Sequence, residues 1–221
     1  MEHLQRNIFI TLFVAVVGII GFVLFSEAPD KTIPPPVTDG NLPTTSYLST
    51  DGITLTYPVE LSLSEKDKVI TLHHEIPHKN TGACDMMGDE KTYDMLTDFH
   101  VTLRIASTSL VKTVRQMSSY IPEENFDGDV LKVNPGFIDS FEAGSLKGFA
   151  IYEGAEGCGM TTHYFPLPGN RTLIIQKESI QALSGVRGET LIKEILAVPG
   201  AVSKEESEMI FMSIVNSLTI K

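Results

Sequence analysis

The chain has 221 residues, room for one membrane segment and one domain, and its 42% apolar content is enough for a packed core. Seventeen basic residues against 28 acidic ones leave a net charge of −11, which repels a phosphate backbone and excludes nucleic acid as a partner. Two cysteines exclude a disulfide-rich scaffold or a four-cysteine zinc site, and leave room for one bridge.

The first element is apolar. Ile8 to Phe25 carries no charge and is interrupted only by Thr11, Gly18 and Gly21. As a helix rising about 1.5 Å per residue it covers roughly 27 Å, close to the hydrocarbon thickness of a bilayer. The competing reading is a cleaved signal peptide, whose apolar stretch is normally shorter and ends in a small-x-small site. The best such site is Ser26-Glu27-Ala28, with Pro29 directly after it. The expectation is therefore an uncleaved anchor in residues 1–25. Arg6 and the amino terminus precede the run, and Glu27, Asp30 and Lys31 follow it, so the N-terminus is expected in the cytoplasm and the rest outside the cell membrane.

Residues 26–46 hold five of the 12 prolines and no aromatic residue before their end. Pro34-Pro35-Pro36 fixes φ and removes donors, which predicts an extended stalk reaching up to roughly 65 Å at about 3.1 Å per residue. The domain is expected over residues 47–221.

Its first half reads as strands. Ile53 to Tyr57 alternates and meets Pro58; Val69 to His73 is rich in β-formers; Phe99, Val101, Leu103 and Ile105 alternate with polar residues. Phe149 to Tyr152, Thr161 to Phe165 and Thr172 to Gln176 complete an expected antiparallel meander, with glycine-rich turns between them. Leu110, Val114, Met117 and Ile121 recur at helical spacing behind Ser109. Ser203 to Glu206 has the pattern of a capping box before an apolar stripe from Ile210 to Leu218, and a weaker helix is expected over Thr190 to Leu196. The sum is an α+β domain with two or three helices laid on one face of the sheet.

Tyr57-Pro58 after the first alternating strand, the central meander, and the closing helix running into Ser213-Ile214-Val215-Asn216-Ser217-Leu218-Thr219-Ile220 together resemble PsbP-like domains. The resemblance spans Tyr47 to Lys221 and implies an anchored extracytoplasmic bacterial protein. It implies no catalytic residues. That family's usual lipid-attachment cysteine is absent after the apolar run, consistent with a helical anchor instead.

Three constellations could carry chemistry. His74-Glu75-Ile76-Pro77-His78 matches the H-E-x-x-H pattern, in which two imidazoles one helical turn apart share a zinc. Pro77 opposes it, because a proline inside the helix lacks one amide and clashes with the carbonyl four residues back. A strand running into a proline turn is the expectation. A looser metal reading combines His73, His74 and His78 with Cys84 or Asp85. Finally, Cys84 and Cys158 both lie in glycine-containing turns and are expected to pair in an oxidising compartment, closing a loop of about 75 residues worth roughly 4 kcal/mol. The alternative for Cys158 is a thiol nucleophile with His163 as base.

The chain is thus expected to be a single-pass membrane protein whose outer domain binds an unknown protein or small molecule, or supports an envelope assembly, without a cofactor. The rival is a membrane-tethered zinc hydrolase built on His74, Glu75 and His78. No catalytic or metal residue is assigned in the first reading.

Overall fold

The computed structural model describes residues 43–82, 84 and 91–221. The expected anchor, including Ile8 and Phe25, and nearly all of the stalk lie outside the described residues. Among the described residues no helix is long and apolar enough to cross a membrane.

Strands β1 (Thr44–Leu48) and β2 (Ile53–Pro58) open the domain, so Thr44 to Ser46, expected as stalk, are strand. Strands β3 (Ser62–Lys66), β4 (Val69–Ile76) and β5 (Leu96–Ala106) follow, then helix α1 (Leu110–Met117) and the short pair β6 (Phe126–Asp127) and β7 (Val130–Leu131). Strands β8 (Ile138–Ala143), β9 (Leu146–Ala155), β10 (Cys158–Leu167) and β11 (Arg171–Ser179) come next. Helices α2 (Glu189–Leu196) and α3 (Lys204–Ser217) and the terminal strand β12 (Thr219–Ile220) close the chain.

The large sheet is antiparallel throughout, in the order β3-β4-β5-β11-β10-β9-β8. It is two meanders, β3 to β5 and β8 to β11, joined where β5 pairs with β11, and not the single meander expected. The β3–β4 and β9–β10 connections are two-residue hairpins with positive φ at both positions, Asp67-Lys68 and Glu156-Gly157. That geometry matches the right-handed twist of the flanking strands.

Alternation sends successive side chains to opposite faces, and here both faces are covered. Tyr164 and Ile174 meet Val111 and Val114 of α1, together with Ile138 and Ile151. Their strand neighbours Phe165, Leu173 and Ile175 point the other way, against Phe211, Ile214 and Val215 of α3 and against Ile53 and Leu55 of β2. Helices laid on a single face were expected. The correction follows from β10 and β11 being apolar at consecutive positions, the signature of a strand buried on both sides.

α3 starts where its sequence says it should. Ser203 Oγ accepts the Glu206 amide at 3.1 Å, and Glu206 Oε2 accepts the Ser203 amide at 2.9 Å. This reciprocal cap satisfies two otherwise orphaned donors. The chain then returns through β12, which pairs with β2. A third apolar cluster, Ile76, Leu96, Ile180, Leu183 and Ile195, packs α2 and the loop after β11 onto one end of the sheet.

Candidate functional site

The H-E-x-x-H residues are not on a helix. His74 and Glu75 belong to β4, and the chain turns at Pro77, with the His78 amide donating to the Ile76 carbonyl at 2.9 Å. In a strand His73 and His74 face opposite sides of the sheet, so the looser metal grouping is split as well. Among the described residues no group of three or more His, Cys, Asp and Glu could hold a metal ion.

His74 has a structural partner. The β4–β5 ladder slips after His74: His74 pairs with Phe99 and Glu75 with Thr97, leaving Asp98 as the extra residue of a bulge. A bulge re-aims a side chain. Asp98, buried with no exposed side-chain surface, sits with Oδ1 2.6 Å from His74 Nδ1 and accepts the Val202 amide on Oδ2 at 2.8 Å. The Asp98 hydrogen bond holds the His74 imidazole above its ordinary range despite partial burial.

Cys84 and Cys158 are bonded, with Cα atoms 5.2 Å apart. The bridge fastens the β4–β5 connection to the first residue of β10. It removes the thiol that a nucleophilic Cys158 would need. His163 is also five residues further along the same strand, on the opposite face, so the two could not have acted together.

The sequence reading weighed His163 only beside that thiol. The structure places it in a cleft between α3 and the β10–β11 floor. His163 is buried, and its ring lies between Phe141 of β8, at 4.3 Å between centroids, and Phe211 of α3, at 4.8 Å. Among the described residues, its Nδ1 is the buried side-chain nitrogen or oxygen atom with no hydrogen-bond partner. Burial, and secondarily the Lys177 ammonium, pushes its pKa down to about 4, so the imidazole is neutral at physiological pH.

The cleft has two adjoining lobes. The inner one, about 130 Å³, is bounded by His163, Thr161, Phe141, Phe211 and Met212. The outer one, about 380 Å³, reaches Tyr152, Gly157, Ser184, Val186 and Ser207. Lys177, Glu178, Ser179 and Glu208 border both. Lys177 Nζ pairs with Glu208 Oε1 at 2.7 Å and stands 5.9 Å from the Phe211 ring centroid. The outer wall is braced by the β9–β10 hairpin: Gln181 donates to the Glu156 carbonyl at 3.0 Å. A Cβ at Gly157 would stand 2.0 Å from Ser184 Oγ, so the hairpin meets the 180–186 loop only because that residue is glycine. The disulfide holds the same hairpin from its other side.

One signal for this site was legible. His163 shares strand parity with Phe165, so alternation alone puts it on a buried face. Lys177, Glu208 and Phe141 carry no such signal, because their meeting depends on where α3 and β8 lie in three dimensions.

The described residues form a sheet-rich α+β domain with three α-helices and a histidine-floored cleft. No family model matches the chain, and no curated protein matches it. A crystal structure from Bacteroides thetaiotaomicron VPI-5482, solved at 1.50 Å, superposes with a TM-score of 0.40 at 10% identity, over 80% of this chain and 48% of that one. This chain therefore spans about half the length of that protein.

Proposed function

We propose that this is a membrane-tethered extracytoplasmic binding domain, resembling the PsbP-like domains, that holds its ligand in the cleft over His163. The observation that carries this is the state of His163 itself. A buried nitrogen without a partner costs about 1–3 kcal/mol, and a phenylalanine between Phe141 and Phe211 would avoid that cost. Departures from local packing rules of this kind concentrate at functional sites. A bound ligand would make good the deficit by turning the ring, because Nδ1 has almost no accessible surface in the cleft as it stands.

Binding is favoured over catalysis because the two reactive groups the sequence offers have structural occupations. Cys158 is in a disulfide, and His74 is held by a buried carboxylate that also anchors the approach to α3. A disulfide between the β4–β5 connection and β10 also accords with an oxidising compartment outside the cytoplasm.

The test is native mass spectrometry of the full chain purified from its own membranes, beside His163→Phe prepared identically. A small molecule retained by the natural chain and lost from the variant, with both chains folded, is the expected result. Identical spectra for the two, with no retained species, would remove the cleft from the proposal.

A further inference from the structure

The sheet edges differ in how they are guarded. An unpaired strand edge invites pairing with another chain, and charge, proline or a bulge normally blunts it. β3 carries Glu65 and Lys66, and β8 carries Asp139 and Glu142. β12 is two residues long and is followed by Lys221. β1 ends the β1-β2-β12 sheet and reads Thr44-Thr45-Ser46-Tyr47-Leu48, without a charge, and its register with β2 runs without a bulge.

The inner side of β1 fixes what its outer side presents. The Pro43 carbonyl accepts the Val59 amide at 3.0 Å, and the Ser49 amide donates to the Ile53 carbonyl at 2.8 Å, on either side of an unbroken register. Antiparallel strands bond at alternate residues. Thr45 and Tyr47 therefore bond to β2, and the amides and carbonyls of Thr44, Ser46 and Leu48 point away from it. No strand of the described residues lies on that side. The three residues are exposed, Leu48 at 57%. Tyr47 packs against the core and donates its hydroxyl to Glu65 Oε2 at 2.5 Å, so the open edge belongs to a fixed strand.

Three open positions two residues apart make this edge self-complementary. With Ser46 on a twofold axis, an antiparallel copy sets Ser46 opposite the partner's Ser46 and Thr44 opposite the partner's Leu48. Every open amide then meets an open carbonyl, and no like charges are opposed. The sequence directly before β1 is a poor substitute for that copy, because Pro34-Pro35-Pro36 lacks donors and Asp39-Gly40-Asn41 is disfavoured in strands. One strand of five residues buries well under the roughly 1,000 Å² of a stable interface, and a net charge of −11 on each copy opposes association in dilute solution. Confinement to one membrane supplies the missing affinity as effective concentration.

We infer that β1 pairs with β1 of a second copy in the same membrane, joining two domains through one continuous antiparallel sheet. This rests on residues 8–25 being a tether and adds the partner.

Both natural cysteines are bonded to each other, so an added cysteine is the only free thiol. In isolated membranes holding the full chain, a short bis-maleimide should cross-link Ser46→Cys to a dimer, since opposed Cα atoms stand about 5.5 Å apart. Ser64→Cys on β3 and Ser140→Cys on β8, also exposed edge serines, should give at least tenfold less. A second measurement uses two differently tagged copies, one with Thr44→Cys and the other with Leu48→Cys. Their cross-link should fall at least tenfold when both also carry Ser46→Lys, and return when one carries Ser46→Lys and the other Ser46→Glu. No cross-link at Ser46, equal cross-links at Ser64 or Ser140, or a Thr44–Leu48 cross-link indifferent to the paired lysines would each overturn the pairing. Carbonate extraction of the same membranes reads the tether by itself. A chain that resists extraction and gives no Ser46 cross-link keeps the tether and loses the dimer. A chain that is extracted and still cross-links at Ser46 loses the tether and keeps the pairing.

Discussion

His74 and Asp98, on neighbouring strands, are joined Nδ1 to Oδ1 at 2.6 Å, and the second Asp98 oxygen reaches the Val202 amide one residue before the cap of α3. One buried carboxylate thereby ties the β4–β5 bulge to the helix that forms the cleft's wall. Removing a single partner from a buried pair leaves the other uncompensated, which costs about 3–5 kcal/mol. Asp98→Ala is expected to destabilise the full chain by that order in denaturant titrations.

The same pair fixes the sign of a pH effect. The folded-state pKa of His74 is raised above 6.5, so the pair's contribution is complete below 6.5 and is lost as pH rises through the folded value. The difference in stability between the natural chain and Asp98→Asn should therefore be largest near pH 6 and shrink toward alkaline pH. A difference that grows with pH would contradict this assignment.

Local patterns were readable in this sequence to the extent that they are local. The Ser203–Glu206 capping box, the alternation from Phe99 to Ile105 and the proline stop after β4 depend on a few neighbouring residues, and the structure has them in place. β3 and β8 are edge strands with polar, mostly exposed outer positions, such as Ser62, Ser64, Asp139 and Glu142, so they have little apolar periodicity to detect. The Asp98 bulge was also invisible, since it exists only in the register between two strands. The cleft was out of reach for the same reason, because its walls come from β8, β10, β11 and α3.

The disulfide yields a second test, on the cleft's outer wall. Cys84 and Cys158 are 74 residues apart in sequence. Closing a loop of that size restricts the unfolded chain by roughly 4 kcal/mol in the chain-entropy account. Cys84→Ser with Cys158→Ser, or reduction of the natural chain, should lower the unfolding free energy by about 2–4 kcal/mol. The 155–158 hairpin should lose hydrogen-exchange protection before the β5–β11 ladder does. Equal loss across the sheet would show that the bridge is not specific to this wall.

The proposed tether has its own readout. If residues 8–25 hold the chain in the membrane, alkaline carbonate should fail to extract it, and a chain beginning at residue 43 should appear in the soluble fraction. Protease added to intact cells should digest the domain of the natural chain. A domain protected until the cells are opened would reverse the orientation.

His163 supplies the last test, which separates a site from a packing residue. Its pKa of about 4 lies below the 6.5 of an unfolded imidazole, so between those values the unfolded chain binds a proton that the folded chain refuses. The contribution of His163 to stability must then fall as pH drops from about 6.5 to about 4, and flatten below that. The gap corresponds to roughly 3 kcal/mol at about 1.4 kcal/mol per pH unit. His163→Phe has no proton to take up and fills the space between Phe141 and Phe211 without an unpaired nitrogen. It should raise the melting temperature slightly at pH 7, and by several degrees more at pH 5. A ligand-binding role requires that this stabilised variant lose ligand while gaining stability. A variant both less stable and unchanged in its acid response would show that His163 is held by a partner in solution, and the argument from its unpaired nitrogen would fail.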